Sequence, residues 1–132
     1  MDTVTNIETA TLLAEHNWCS VFPKHFNQQW TATNEDYYGV AAKLPEVLRK
    51  TNNYALSCGT SQGDLATMFE TCEHIENTLG NPVKLVCVDI ANGYLDRLVQ
   101  VCKQIRRTMP DVIIMAGNVV TPDGLVELVE EG

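Results

Sequence analysis

The sequence predicts a parallel α/β fold in which short buried strands alternate with amphipathic helices. Three observations predict it. Four largely apolar runs recur at 19–22, 54–57, 85–88 and 112–116. They are apolar at successive positions, as suits strands covered on both faces, and each precedes a longer amphipathic stretch. The polar residues that follow the runs all fall at the same end. Such alternation with short connections implies right-handed crossovers and a parallel sheet, either doubly wound or closed into a (β/α)8 barrel. Periodicity leaves these two architectures open.

Taken in order, the chain opens with a helix over 7–15, preceded by Thr5-Asn6 and carrying Ile7, Ala10, Leu13 and Ala14 on one face. The first strand follows at 19–22. From 27 to 53 the rhythm breaks, and Trp30, Asn34-Glu35-Asp36, Gly39 and Pro45 predict a loop and short helix, then a helix near 46–50. The second strand leads to a helix over 62–79, capped by Ser61 and closed by Gly80-Asn81-Pro82. The segment from Val86 to Asn92, which includes most of the third run, reads as a buried parallel strand that carries Asp89 to the ligand face. Beyond it, Leu95, Leu98, Val99, Cys102 and Ile105 repeat at helical spacing. Arg97, Lys103, Arg106 and Arg107 lie mostly opposite, which reads as a solvated face, and Pro110 marks the exit. After the fourth strand, Thr121-Pro122 opens a last helix that runs towards 131. No low-complexity linker interrupts the 132 residues, so one domain is expected.

Composition narrows the function classes. A chain that is 45% hydrophobic and 20% charged has material for a core. Its net charge of -8 argues against a general nucleic-acid or anionic-membrane surface, so any phosphate must be held locally. The start, Met1-Asp2-Thr3-Val4, lacks a basic and apolar leader pattern, and no apolar run approaches a membrane span, so a soluble, cytoplasmic protein is expected. Five cysteines form no C-x-x-C pair, which predicts reduced thiols. Cys87 lies in an apolar run and Cys19 and Cys58 in expected strands, where a thiol acts as a small buried hydrophobe. His16 and His74 lack ligand spacing, and no metal site is expected.

In parallel α/β folds ligands meet the carboxyl ends of strands, so the residues after the runs are the candidates. Lys24 follows Val21-Phe22-Pro23, where its ammonium is either solvated or available to a phosphate, a carboxylate or a proton transfer. His25 beside Phe26 reads more readily as a packed side chain. Gly59-Thr60-Ser61-Gln62-Gly63 suits either a polar ligand at a helix start or an ordinary capped turn. It lacks the lysine of a P-loop and the glycine spacing of a dinucleotide fingerprint. Asp89 ends an apolar strand, is expected to lose part of its hydration, and so calls for donors or a cation. Its alternative role is to cap the turn through Asn92-Gly93. Asn118 shares that geometry and either holds Asp89 or a ligand, or shapes its turn.

Met1-Asp2-Thr3-Val4, Lys24-His25, Ser57-Cys58-Gly59-Thr60, Asp89-Ile90-Ala91-Asn92-Gly93-Tyr94 and Ala116-Gly117-Asn118-Val119-Val120-Thr121 follow one another in an order that resembles the GMP reductases. The resemblance spans essentially the whole chain. The segment from Asp89 to Tyr94 is closer to GMP reductase than to its sister IMP dehydrogenase, which tends to place serines after the aspartate. The resemblance implies a (β/α)8 TIM barrel and NADPH-dependent reductive deamination of GMP to IMP with release of ammonia. In that family a cysteine thiolate attacks the purine C2, ammonia leaves, and hydride transfer precedes release of IMP. By resemblance, Lys24, Thr60 and Asp89 are the catalytic candidates. Lys24, Asp89, Ile90 and Ala91 match the cofactor contacts, and Met1 and Asn118 are assigned to substrate. The resemblance further implies a homo-oligomer, a tetramer in this family, and a potassium ion in the complete enzyme alone.

Two departures qualify it. The stretch between Lys24 and Ser57 is longer than the family pattern, and Pro23 stands where a histidine commonly precedes the lysine. The sequence also has no Gly-rich loop ending in Cys-Thr-Thr, so the family's nucleophile and cation site are missing, as are the later loops for GMP. Barrels of this type have eight strands in about 250 residues, whereas four strands are expected here. Residues 1–132 thus read as part of a catalytic barrel with about four βα units, with unpaired edge strands and uncovered apolar surface. An IMP dehydrogenase-like piece, or a non-catalytic nucleotide-binding half-barrel, is the alternative.

Overall fold

A computed structural model describes residues 5–26, 50–91 and 96–131. Strands β1 (Ser20–Phe22), β2 (Tyr54–Cys58), β3 (Leu85–Asp89) and β4 (Ile113–Gly117) form one sheet in the order β1-β2-β3-β4. Every pairing is parallel. The helices are α1 (Ile7–Glu15), α2 (Gln62–Leu79), α3 (Asp96–Thr108) and α4 (Pro122–Glu131).

The register fixes which side chains share a face. Phe22, Leu56 and Val86 stand abreast, as do Cys58 and Val88 one step further. These pack with Leu65, Met68 and Ile75 of α2 and with Leu98, Val101, Cys102 and Ile105 of α3 in one buried cluster. The two helices therefore cover the same face. A doubly wound sheet reverses its strand order and puts helices on both faces. Strands in chain order with α2 and α3 on one face form instead an arc of a (β/α)8 barrel, which resolves the choice that periodicity left open. Each fully buried aliphatic side chain of this layer contributes roughly 1.5–3 kcal/mol.

Local chemistry sets the element ends. Asn6 Oδ1 accepts the Thr9 amide at 2.8 Å and starts α1. Ser61 Oγ accepts the Asp64 amide at 3.0 Å and starts α2, which ends at Gly80 with a left-handed φ of 72° that a side chain would strain. Thr121 Oγ1 accepts the Gly124 amide at 3.3 Å, with Pro122 first in α4 as its fixed φ allows. Arg106 Nη1 donates to the Pro110 and Val112 carbonyls at 2.8 and 2.7 Å, which closes the turn from α3 into β4.

Several expectations need correction, the first being the strand expected from Val86 to Asn92, which ends at Asp89. β2 is buried at all five positions, but β3 alternates, and β4 leaves Ile113 and Met115 on its helix-free face at 65% and 50% exposure. The described helices pack on one face of the sheet, so the residues of β3 and β4 that alternate onto the other face are less covered. Cys19 lies outside β1 and is exposed, and Cys87 is half-buried. The basic stretch of α3 is not simply a solvated face, because Arg106 ties down a turn and Arg97 reaches a neighbouring loop. Met1, Asn92 to Leu95 and most of the helix expected near 46–50 lie outside the described residues.

Candidate functional site

Because all four strands run the same way, their carboxyl ends form one edge, and the candidates stand along it. Pro23 ends β1, and a helical turn at 24–26 follows, its Phe26 amide donating to the Pro23 carbonyl at 2.9 Å. Phe26 stacks on Phe22 with ring centroids 4.5 Å apart, which anchors the turn and leaves Lys24 and His25 exposed. Lys24 Nζ lies 3.6 Å from Asp64 Oδ2, from the first turn of α2. Thr60, between β2 and α2, is fixed through its carbonyl, which accepts Arg97 Nε at 2.9 Å. That bond joins the loop after β2 to the start of α3.

Asp89 closes β3 opposite Gly117 of β4. Side chains alternate along a strand, so Asp89, next to the core residue Val88, belongs to the face away from the helices. In a (β/α)8 barrel that face lines the interior, and the carboxyl ends of its strands carry the chemistry. Asp89 is exposed rather than desolvated, which corrects the expectation from its apolar strand. Past the ladder, the Ile90 amide donates to the Gly117 carbonyl and the Asn118 amide to the Ile90 carbonyl, both at 2.8 Å. Ile90 also packs against the core, while Ala91 is exposed. The segment holding Asp89, Ile90 and Ala91 is thus tied to Asn118 through backbone bonds.

The structure gathers Lys24, Thr60, Asp89 and Asn118 along one edge rather than into a contacting cluster. Sequence reasoning missed two residues there. Asp64 stands three residues after its cap Ser61, the spacing of a helix-start acid, and that signal was available. Arg97 carried none, since its partner is a backbone carbonyl remote in sequence.

The thiols of Cys58, Cys72, Cys87 and Cys102 are shifted away from nucleophilic character. Burial pushes Cys58 and Cys72 up to about 12, with nearby Asp64 adding to the effect at Cys58 and Glu76 at Cys72. Burial also raises Cys87 and Cys102. A catalytic cysteine requires the opposite shift, towards the thiolate. Among the described residues, no group of three or more His, Cys, Asp and Glu side chains is placed to hold a metal ion, and no helix is long and apolar enough to cross a membrane.

Comparison with known proteins agrees with this architecture. The model of the IMP dehydrogenase / GMP reductase domain matches residues 1–132. GMP reductase 1 of Homo sapiens is 35% identical over 132 residues, which cover 100% of this chain and 34% of that protein. GMP reductase of Shewanella pealeana is 35% identical and GMP reductase 2 of Bos taurus 36% identical, each over 133 residues with the same coverage. The chain spans about a third of the length of the curated relatives it matches. With four parallel strands in barrel order and a family match from end to end, the chain belongs to the IMP dehydrogenase / GMP reductase family.

Proposed function

We propose that this chain supplies the cofactor-side part of a GMP reductase, an oxidoreductase of purine nucleotide interconversion that converts GMP, NADPH and protons to IMP, NADP+ and ammonium. The observation that carries the reading is the Asp89-Ile90-Ala91-Asn92-Gly93-Tyr94 segment at the carboxyl end of β3, in a chain whose relatives are GMP reductases.

The strand-end edge fits an anionic dinucleotide. Its Lys24 ammonium is half-exposed beside a sheltered carboxylate, in a protein of net charge -8. NADPH, when bound, supplies the hydride. Lys24 binds and orients by charge and hydrogen bonding. Asp89 accepts hydrogen bonds from amide or hydroxyl donors and exchanges protons with the leaving amine, for which its exposed carboxylate is open. Thr60 positions the reacting groups from a loop that Arg97 braces, and Ile90 and Ala91 line the cofactor. Met1 and Asn118 belong to the substrate side.

The nucleophile lies in sequence this chain does not contain, since none of its cysteines sits in a Gly-rich Cys-Thr-Thr loop. The chain alone therefore gives no turnover. Potassium belongs to the complete enzyme, a cytoplasmic homo-oligomer, tetrameric by the family resemblance. The test is to express the complete reading frame around this sequence and follow NADPH oxidation with GMP. Ammonia and IMP in equal amounts support the proposal. Oxidation of IMP with NAD+ and no reaction with GMP would move it to the IMP dehydrogenase side.

A further inference from the structure

We propose that Asp64 is the positioning residue for Lys24, and that Gly59 is the gap through which its carboxylate reaches the ammonium. The inference rests on Lys24 being the cofactor-side lysine, and it adds two residues that the reading above does not assign.

Three features meet at one point between two adjacent strand ends. Ser61 caps α2 and accepts the Asp64 amide at 3.0 Å, which fixes Asp64 in the first helical turn. An acid there can fold back on its own helix start. Asp64 Oδ2 extends instead across the end of β2 to Lys24 Nζ, 3.6 Å away. Gly59, buried directly after β2, lies beneath that crossing. A Cβ on Gly59 would fall on Asp64 Oδ2, 3.3 Å from Asp64 Cγ and 3.7 Å from Lys24 Nζ. No alanine fits without displacing the carboxylate, so the glycine serves a close approach.

The two partners are unequally sheltered. The Asp64 side chain is 18% exposed and that of Lys24 46%. The carboxylate is thus the fixed member, held by its helix start, where the helix dipole favours its negative charge. The ammonium is held on one side and open on the other. A free lysine loses rotamer entropy when a ligand immobilises it, and a lysine already held by Asp64 loses less. At 3.6 Å the contact is an ion pair longer than a hydrogen bond, so the donors on Nζ keep their capacity for a ligand. A half-exposed pair contributes little to stability, so its effect is sought in the orientation of Lys24.

The experiment compares the complete wild-type protein, expressed from the reading frame around this sequence, with Lys24→Met, Asp64→Asn, Gly59→Ala, Asp64→Glu and the double variant Lys24→Met/Asp64→Asn. Two readouts are taken. NADPH affinity is measured by fluorescence titration, and the Lys24 side-chain signal is followed by NMR on lysine-labelled protein. Positioning predicts that Asp64→Asn and Gly59→Ala each weaken NADPH binding about fivefold, that Asp64→Glu recovers part of it, and that the double variant is no weaker than Lys24→Met. The Lys24 signal then moves to a mobile, solvent-like position in Asp64→Asn and Gly59→Ala. Independent, multiplying losses in the double variant, or a Lys24 signal unchanged by Asp64→Asn, overturn the proposal. If no variant and not the wild type binds NADPH, the cofactor reading fails, while the Lys24 signal still decides whether Asp64 positions it.

Discussion

The Ile90 carbonyl accepts the Asn118 amide at 2.8 Å, one step beyond the last ladder pair of β3 and β4. Two candidate segments, one read as cofactor-facing and one as substrate-facing, are therefore joined through their backbones. Side-chain changes at either point leave those bonds intact. Asp89→Asn and Asn118→Ala, both at exposed positions, should change stability by no more than about 0.5 kcal/mol. On the proposed role of Asp89 in proton transfer, Asp89→Asn in the complete enzyme should lower kcat about a hundredfold or more. Thermal melts beside turnover assays check both halves of this prediction.

The buried thiols give a second prediction. Cys58 and Cys72 are held up to about 12 from an ordinary value of 9.0, so the folded protein keeps protons that the unfolded chain releases. Their contribution to stability is fully present below pH 9, and it is lost as pH rises from there through about 12. Urea melts at pH 8 and pH 10 should show the fall. At neutral pH the thiolate fraction at these two sites is about a thousandfold below that of a free cysteine, so a disulfide reagent should label exposed Cys19 first.

Arg106 spans the turn that delivers β4. Its two charge-assisted bonds to the Pro110 and Val112 carbonyls, at 2.8 and 2.7 Å, are absent in Arg106→Ala, which should cost about 1.5–3 kcal/mol. Arg107→Ala, at an exposed neighbouring position, should cost less than about 0.5 kcal/mol. Denaturant midpoints of the two variants distinguish a turn clamp from a general effect of charge.

The layer between sheet and helices carries the fold. Leu56 is fully buried and stands abreast of Phe22 and Val86, so Leu56→Ala should destabilise by about 2–5 kcal/mol through lost burial and a residual cavity. Leu12→Ala, at a 58% exposed position on α1, should cost far less. Unfolding by circular dichroism reads both.

Much of this was legible from the residues. The apolar runs marked β1 to β4 to within a residue or two, and Asn6, Ser61, Gly80 and Thr121 marked helix ends, because caps and turns are local chemistry. Burial was less legible. Val112 is buried and Ile113 exposed, although both lie in one apolar run, because facing depends on register with a neighbouring strand. The strand-end positions of Lys24, Thr60, Asp89 and Asn118 were readable from connectivity. The crossing of Asp64 over Gly59 was not, because it joins two loops 35 or more residues apart in the chain, Lys24 in one and Gly59 in the other. Arg97 was hidden for the same reason.

As the proposed cofactor-side part of a GMP reductase, this chain should contribute to turnover only within the complete protein. The most direct measurement is turnover of NADPH and GMP by the complete reading frame, run beside the 132-residue chain alone. Equal amounts of IMP and ammonium are expected from the complete protein and none from the chain. Ammonium released by the chain alone, or no reductive deamination by the complete protein, would contradict it.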